Sequence, residues 1–518
     1  MKKIRILWVD DEIDLLKPHI LFLEAKGYEV VTATNGMDAI ELVQEEFFDL
    51  IFLDEMMPGL TGLETLAQIK EIEPNVPVVM ITRSEEENIM DEAIGSKMAD
   101  YLIKPVNPNQ ILLTIKKNVD RNRLVSEKTT SAYQSQFSQI GMKINEQLDF
   151  YEWTELYRKL VFWELELSSS EQGTMDEVLF MQKNEANNAF VRYVKKNYLG
   201  WFGNNVNERP LMSPDIFRNK IFPALDEGEK VFVLVIDNLR YDQWRVLSPL
   251  FSEYYLMEEE ELFGSILPTA TMYARNAMFA GLMPSEIKKL YPEYWIDEDG
   301  KGSKNQFEEE LLRKQMARFG RKESLYFDKI QNLRTGKKAT ESLNGILKCD
   351  LSVLVVNFID MLSHARTEME MIKELAGDEA AYRSLTESWF RHSSVMDLIR
   401  DLSGHDVKVM VTTDHGSIRV QNPLKIIGDR NVNTNLRYKH GKNLNYNRKE
   451  VFELTRPSDG YLPAINVSTT FVFAGNQDFF LYPNNFNQHL HYYKNTFQHG
   501  GISLEEMLIP FVSLVPKG

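Results

Sequence analysis

The sequence I-R-I-L-W-V-D-D-E, residues Ile4–Glu12, joins a short apolar run to three consecutive acids. Further apolar runs follow up to about residue 120, and the segments between them carry helical spacing, as at Leu15, Ile20 and Leu23. This alternation predicts a parallel sheet with helices on both faces. The predicted strands are Ile4–Val9, Val30–Thr32, Leu50–Leu53, Val78–Ile81 and Tyr101–Ile103.

Polar side chains follow these strands directly. Asp10 and Asp11 follow the first strand, Asp54 the third, Thr82 the fourth and Lys104 the fifth. Clustered carboxylates repel one another unless a hard cation lies among them, and Mg²⁺ prefers such oxygen ligands. A lysine and a threonine beside them would offset charge on a phosphoryl group and hydrogen-bond its oxygens. The pattern therefore predicts a phosphoryl-accepting magnesium site.

The runs V-D-D-E, D-E-M-M-P-G, I-T and D-Y-L-I-K-P resemble those of a CheY-like (βα)5 receiver domain over residues 1–120. A degenerate receiver that only mediates contacts is disfavoured, because every acidic and basic member of the set is present. The roles that the resemblance implies are phosphoacceptor for Asp54, Mg²⁺ ligands at Asp10, Asp11, Asp54 and the Met56 carbonyl, and a switch set of Thr82, Tyr101 and Lys104.

Residues 121–205 carry helical spacing without a strand signal, with Phe137, Ile140 and Ile144 and then Trp153 and Leu156 recurring every three to five residues. This segment predicts a helical bundle that links two α/β domains. Strand–helix alternation returns in residues 206–518, which predicts a second, larger α/β domain. Its strongest predicted strands are Val231–Ile236, Leu351–Phe358, Val407–Thr412 and Phe471–Ala474.

Carboxylates and imidazoles follow these later strands, at the sheet edge where open α/β sheets bind ligands. Asp237 ends V-F-V-L-V-I-D-N, and the other motifs are D-x-x-x-H, D-H-G and H-G-G. Three carboxylates and three imidazoles without cysteine suit two Zn²⁺ ions. The candidate ligands are Asp237, Asp360, His364, Asp414, His415 and His499.

Thr271 lies just past Pro268, where an Ala- and Met-rich helical pattern begins. A helix N-terminus suits a phosphate group, and a threonine hydroxyl becomes a nucleophile when a base or metal ion takes its proton. The net charge of −17 argues against binding a nucleic-acid duplex. Two divalent ions against three carboxylates nevertheless leave the local formal charge at about +1, which attracts a phosphoester.

The motifs D-N, P-T-A-T, D-x-x-x-H, D-H-G and H-G-G-I-S-x-E-E resemble the PglZ branch of the alkaline phosphatase superfamily, an α/β sandwich. The resemblance implies a Thr271 nucleophile and a phosphothreonine intermediate. It places Asp237, Thr271, Asp414 and His415 around one Zn²⁺, and Asp360, His364 and His499 around the other.

A basic segment, Arg419–Lys449, has eight Lys or Arg residues against the single acid Asp429. Arg437, Lys439 and Lys442 are its candidates for holding substrate phosphates or stacking on a base. A solvated loop or a partner contact explains the same composition equally well.

The order receiver, helical bundle, PglZ domain resembles PorX-type response regulators. That resemblance implies a cognate histidine kinase, a phosphorylation-dependent homodimer, an extracytoplasmic-function sigma factor as partner, control of type IX secretion and phosphodiesterase activity on oligonucleotides. The alternative is a non-catalytic signalling scaffold whose PglZ domain binds a nucleotide or a sigma factor. The absence of a helix-turn-helix motif argues against a duplex DNA-binding domain in either case.

The single cysteine, Cys349, excludes an internal disulfide framework. The apolar run Ile4–Val9 is too short for a signal-peptide core, and runs such as Val231–Ile236 are too short to span a membrane. We therefore expect a cytoplasmic protein.

Overall fold

The computed structural model describes most of the chain. The described residues are 4–74, 76–82, 98–115, 118, 121–168, 174–202, 209–300, 302–330, 343–368, 378–428, 433–464, 466 and 468–517. The chain divides into two compact units, residues 1–134 and 135–518.

A five-stranded parallel sheet forms the N-terminal unit, in the order β2-β1-β3-β4-β5. Apolar clusters pack on both of its faces, one around Leu7 and Leu53 and the other around Trp8 and Phe52. The prediction of a parallel CheY-like sheet is confirmed. The strands are Arg5–Val9 (β1), Glu29–Ala33 (β2), Leu50–Asp54 (β3), Val78–Thr82 (β4) and Asp100–Ile103 (β5).

The helices of this unit begin where the sequence supplies caps. Asn35 accepts a hydrogen bond from the Asp38 amide, and Thr61 forms a reciprocal capping box with Glu64. The described α-helices are Lys17–Ala25 (α1), Gly36–Glu45 (α2), Gly62–Ile72 (α3) and Pro108–Ile115 (α4), and Arg121–Ile144 (α5) crosses into the second unit.

Two long helices, Phe150–Ser168 (α6) and Thr174–Asn197 (α7), follow α5 and pack within the second unit. Trp153 of α6 packs its ring against Phe190 of α7 with centroids 5.5 Å apart. The predicted aromatic stripe is therefore a core contact of the linker helices.

A six-stranded sheet organises the rest of the second unit, in the order β7-β18-β10-β6-β9-β8. Strands β10, β6, β9 and β8 are parallel, whereas β18 is antiparallel to both of its neighbours. Small two- and three-stranded sheets supplement it. The strands are Val231–Ile236 (β6), Tyr255–Gly264 (β7), Leu325–Ile330 (β8), Leu351–Val356 (β9), Lys408–Thr412 (β10), Ile418–Arg419 (β11), Asn422–Lys425 (β12), Tyr438–Gly441 (β13), Val451–Leu454 (β14), Thr470–Ala474 (β15), Asp478–Leu481 (β16), Phe497–Gln498 (β17) and Leu508–Pro516 (β18).

Helices precede and connect many of these strands. None of the described helices is long and apolar enough to cross a membrane. The remaining α-helices are Phe222–Asp226 (α8), Tyr241–Ser252 (α9), Thr271–Ala280 (α10), Pro284–Leu290 (α11), Glu308–Arg318 (α12), Leu343–Ile346 (α13), Phe358–Glu368 (α14), Glu379–Arg391 (α15), Ser394–Leu402 (α16), Phe486–Tyr493 (α17) and Leu504–Met507 (α18).

Candidate phosphoacceptor site and candidate metal centre

The receiver cluster lies at the carboxyl edge of the first sheet. Asp10 and Asp11 follow β1, Asp54 ends β3 and Lys104 follows β5, so the carboxyl ends of these parallel strands bring them to one edge of the sheet. Lys104 Nζ lies 2.9 Å from Asp10 Oδ2 and 2.8 Å from Asp54 Oδ1. Candidate ligand oxygens of the three aspartates lie within 4.8 Å of one another, which suits one Mg²⁺ ion.

Burial raises the pKa of Asp54, although its hydrogen bond with Lys104 opposes the shift and the nearby Asp10 charge adds to it. Burial alone would lower the pKa of Lys104, but its hydrogen bonds to Asp54 and Asp10 outweigh burial and raise it. The lysine therefore stays charged and could offset the negative charge of a phosphoryl group at this edge of the sheet.

The other predicted receiver residues differ in how far they are exposed to solvent. Thr82 ends β4 and is buried, whereas the Tyr101 side chain on β5 is 39% exposed. The Met56 side chain is 71% exposed, so its predicted role rests on the backbone carbonyl alone.

In the second unit, strand order explains why distant motifs meet. Asp237 follows β6, Asp414 follows β10 and Asp360 lies in the first turn of α14 after β9. Because β10, β6 and β9 are adjacent and parallel, their carboxyl ends share one sheet edge. The sequence expectation of a ligand edge therefore matches the topology.

The first candidate metal cluster, which we term the inner cluster, consists of Asp237, Asp414 and His415. All three side chains are buried, and their candidate ligand atoms lie within 4.8 Å of one another. His415 Nε2 lies 3.8 Å from Asp237 Oδ1 and 3.6 Å from Asp414 Oδ2. The Thr271 hydroxyl, at the first position of α10, lies 3.3 Å from Asp237 Oδ1 and 3.1 Å from His415 Nε2.

The second candidate cluster, the outer cluster, consists of Asp360, His364 and His499. His364 Nε2 lies 3.5 Å from Asp360 Oδ2, and His499 Nε2 lies 3.7 Å from Asp360 Oδ1. The His364 side chain is 63% exposed, so this cluster opens to solvent while the inner one is closed. The His415 and His499 rings stack with centroids 4.3 Å apart, which joins the two clusters.

The outward hydrogen bonds of the two stacked histidines fix their tautomers. His415 Nδ1 lies 3.1 Å from the Gly416 carbonyl, and His499 Nδ1 lies 3.1 Å from the Thr269 carbonyl. A carbonyl only accepts, so Nδ1 donates and Nε2 of the neutral ring turns a lone pair toward the clusters. Burial lowers the pKa of both rings, for His499 to about 4 with the His415 charge adding to the effect.

The carboxylates also fit bound cations. Asp414 Oδ2 and Asp360 Oδ1 are buried atoms that form no hydrogen bond within the described residues. Burial, with the added charge of Asp237, raises the pKa of Asp414 to about 8 and that of Asp360 to about 6. A buried carboxylate with one oxygen that accepts no hydrogen bond resists ionisation, and two divalent ions would relieve that cost. The donor set of oxygen and imidazole nitrogen suits Zn²⁺.

A buried arginine, Arg275, was missed by the sequence interpretation. It lies one helical turn after Thr271 on α10, and its Nη1 is 2.8 Å from Asp237 Oδ2 and 3.9 Å from Asp414 Oδ2. Its Nε is 2.7 Å from Glu308 Oε1. Arg275 therefore holds one oxygen of Asp237 and leaves the other facing Thr271. The sequence did offer one indication of its role, because Arg275 is a charged residue four positions after Thr271 in an otherwise Ala- and Met-rich helix.

A further acidic group, Glu164, Asp242 and Glu379, has metal-like spacing but a different environment. Arg240 lies 2.6 Å from both Asp242 and Glu379, and Arg383 lies 2.7 Å from Glu164. Guanidinium groups already supply the positive charge there, so this group is an ion-pair network.

The structure corrects the prediction that Arg437 and Lys439 hold substrate. Arg437 is fully buried and binds both carboxylate oxygens of Glu506, at 3.1 and 2.6 Å. Lys439 is also buried and donates to the Asn433 carbonyl at 2.8 Å. Charge counting could not distinguish a solvated basic residue from a buried ion-paired one. Lys442 is exposed after β13, and residues 429–432 of the basic segment lie outside the described residues.

Comparison with protein families divides the chain into three matched segments. Residues 6–116 match the response regulator receiver domain, and residues 123–202 match the PorX response regulator linker domain. Residues 216–514 match the family described as the BREX system PglZ alkaline phosphatase-like domain.

Two curated relatives each match about a quarter of the chain. The transcriptional regulatory protein ZraR of Klebsiella oxytoca is 35% identical over 140 residues, which cover 27% of this chain and 32% of the relative. The CpxR homolog of Haemophilus influenzae is 39% identical over 114 residues, which cover 22% of this chain and 48% of the relative. The chain thus spans about a third of the length of the first of these relatives.

Solved receiver domains resemble a similar share of the chain. The receiver domain from Methanospirillum hungatei is 30% identical and covers 23% of this chain and 96% of its own, with a TM-score of 0.23. The chemotaxis protein CheY4 of Vibrio cholerae is 29% identical, with a TM-score of 0.22, and the match covers 23% of this chain and 99% of CheY4. With the PglZ match spanning more than half of its length, this chain belongs to the PglZ alkaline-phosphatase-like family, and it has the receiver, linker and PglZ architecture of PorX-type response regulators.

Proposed function

We propose that this response regulator is phosphorylated on Asp54 by a histidine kinase and that its PglZ domain is a zinc-dependent phosphodiesterase with Thr271 as nucleophile. The observation that carries the proposal is the position of the Thr271 hydroxyl, 3.1 Å from His415 Nε2 and 3.3 Å from Asp237 Oδ1. A hydroxyl beside a base and a carboxylate at a candidate metal centre can act as a nucleophile.

The inner cluster with Thr271 would hold one zinc ion and the outer cluster the other. Two bound ions would stabilise negative charge on phosphoryl oxygens and favour ionisation of the hydroxyl. Thr271 begins α10, and the N-cap Ala270 supplies no side-chain cap. The Tyr273 amide donates to the Ala270 carbonyl at 2.9 Å, so the amides of Thr271 and Met272 are the ones that we propose for a phosphate. The exposed outer cluster gives a substrate access from solvent.

The reaction then takes two displacements at phosphorus. Thr271 Oγ1 bonds to phosphorus and the bond to the leaving ester oxygen breaks. The proton of the Thr271 hydroxyl passes to that oxygen, which departs as an alcohol, and a phosphothreonine that keeps the second ester group forms. Water hydrolyses that intermediate in the second step, which releases a phosphomonoester and restores the hydroxyl with its proton. Oligonucleotides are the proposed substrate class, consistent with a locally positive site.

Regulation would begin in the receiver. Phosphoryl transfer to Asp54 would draw Thr82 and Lys104 toward the new oxygens and allow Tyr101 to swing inward. We propose that this change favours a homodimer, and that the cytoplasmic regulator acts with an extracytoplasmic-function sigma factor to control type IX secretion.

Hydrolysis of a bis-aryl phosphodiester by the zinc-loaded full chain tests the enzymatic proposal. Thr271→Val removes the hydroxyl and should lower turnover by roughly a thousandfold, as loss of a nucleophile commonly does. Thr271→Ser is the matched control, because it keeps the hydroxyl and should retain much of the rate. Equal activity in the wild type and Thr271→Val would exclude Thr271 as nucleophile. Bound zinc with no turnover of any phosphoester would favour the scaffold alternative.

A further inference from the structure

The linker helix α7 contacts the PglZ domain through a buried asparagine. Asn187 is 3% exposed; its Oδ1 accepts from the Leu504 amide at 2.8 Å, and its Nδ2 donates to Glu505 Oε2 at 3.0 Å. Lys183, one turn earlier on α7, places its ammonium 3.3 Å from Glu505 Oε1. Three polar contacts thus tie α7 to the turn formed by residues 503–507, which we term the 503–507 turn.

The 503–507 turn also hydrogen-bonds to two of the loops that carry candidate metal ligands, the loop with Asp414 and His415 and the loop with His499. Glu506 Oε1 accepts from the Gly501 amide at 2.9 Å, two residues after His499. The Glu506 carbonyl accepts from the Gly416 amide at 3.2 Å, directly after His415.

The backbone at Gly416 packs tightly against the backbone of Glu505. A Cβ added at Gly416 would lie 2.0 Å from the Glu505 carbonyl oxygen. A shift of the turn therefore cannot be absorbed there without moving the loop that carries Asp414 and His415. The side chain of Arg437, which occupies both Glu506 oxygens, fixes the turn from its other side.

We infer that Asn187 is a positioning residue of the PglZ site, through which the linker helix sets the geometry of the two loops that carry Asp414, His415 and His499. It touches neither Thr271 nor a candidate ligand, and it acts through the 503–507 turn. The consequence for turnover rests on the proposed function, whereas the consequence for loop order does not.

The test compares two variants of α7 in the full chain. Asn187→Leu has similar volume but loses both hydrogen bonds to the turn. Gln182→Met is the matched control, because it removes another buried amide of the same helix that donates to the Phe137 carbonyl at 3.0 Å, within the linker. Hydrogen exchange is measured on the metal-free protein, and zinc content and phosphodiester turnover on the loaded protein.

Asn187→Leu should speed exchange of the Leu504, Gly501 and Gly416 amides by about tenfold or more, the effect of losing a buried hydrogen bond. It should also lower kcat more than KM, whereas Gln182→Met leaves these amides protected. Unchanged exchange in Asn187→Leu, or equal changes in both variants, would overturn the inference. Absence of turnover in the wild type would instead contradict the proposed function and leave the exchange result decisive for the linker.

Discussion

Replacing Arg275 with methionine should destabilise the metal-free second unit strongly. Removing one partner of a buried ion pair costs roughly 3–5 kcal/mol, because the other charge is left buried and unpaired. Glu308 would keep Lys329 at 2.5 Å and Asn305 at 2.9 Å, so the loss falls mainly on Asp237. We therefore expect the lower end of that range, about 3 kcal/mol.

Zinc should reduce this loss of unfolding free energy, because an ion at the inner cluster supplies the positive charge that Arg275 gave to Asp237. Urea unfolding followed by tryptophan fluorescence measures the free energy of unfolding of the metal-free protein, with a chelator present, and of the zinc-loaded protein. Arg313→Met is the control: its ion pair with Glu309 is exposed and should contribute under about 1 kcal/mol. A loss below about 1 kcal/mol for Arg275→Met, or a deficit that zinc leaves unchanged, would refute this reasoning.

Three shorter predictions concern other parts of the chain. Gly416→Ala places a Cβ 2.0 Å from the Glu505 carbonyl and should cost about 1–3 kcal/mol and lower zinc content; unchanged melting temperature and metal content would contradict this. Lys104→Met removes a competitor for Asp10 and Asp54, so Mg²⁺ should bind more tightly while acetyl phosphate no longer promotes dimerisation; weaker Mg²⁺ binding would count against it. Burial opposes ionisation of Glu260, but hydrogen bonds from Trp244 and Tyr241 and the charges of Arg245 and Arg158 hold its pKa below the ordinary 4.5. Ionised Glu260 therefore stabilises the fold above a pH of about 4.5 and loses this effect in acid. The difference in the free energy of unfolding between wild type and Glu260→Gln should narrow as pH falls below about 4.5, and a difference that widens would contradict the assignment.

The sheet edges could be predicted from the sequence because local signals define them. Val231–Ile236 is a continuous apolar run, and the structure makes these residues a strand with buried side chains throughout. Asp237 had to follow at the carboxyl end, where parallel neighbours bring Asp360 and Asp414 beside it. D-x-x-x-H likewise places Asp360 and His364 on one face of a single helix.

The rest depends on contacts between residues far apart in the chain. Arg437 pairs with Glu506, 69 residues later, so its composition-based interpretation as a substrate residue was wrong. Asn187 meets Glu505 across 318 residues, and nothing local distinguishes it from the neighbouring asparagines of α7. Such partners become visible only once the fold is known, because burial and pairing are properties of the packed chain.

Anomalous diffraction at the zinc edge, from crystals of the zinc-loaded chain, tests the proposed metal centre most directly. The account predicts two peaks, one among Asp237, Asp414, His415 and Thr271, and the other among Asp360, His364 and His499. Crystals grown with zinc that show no peak at either cluster, or peaks only elsewhere, would contradict it.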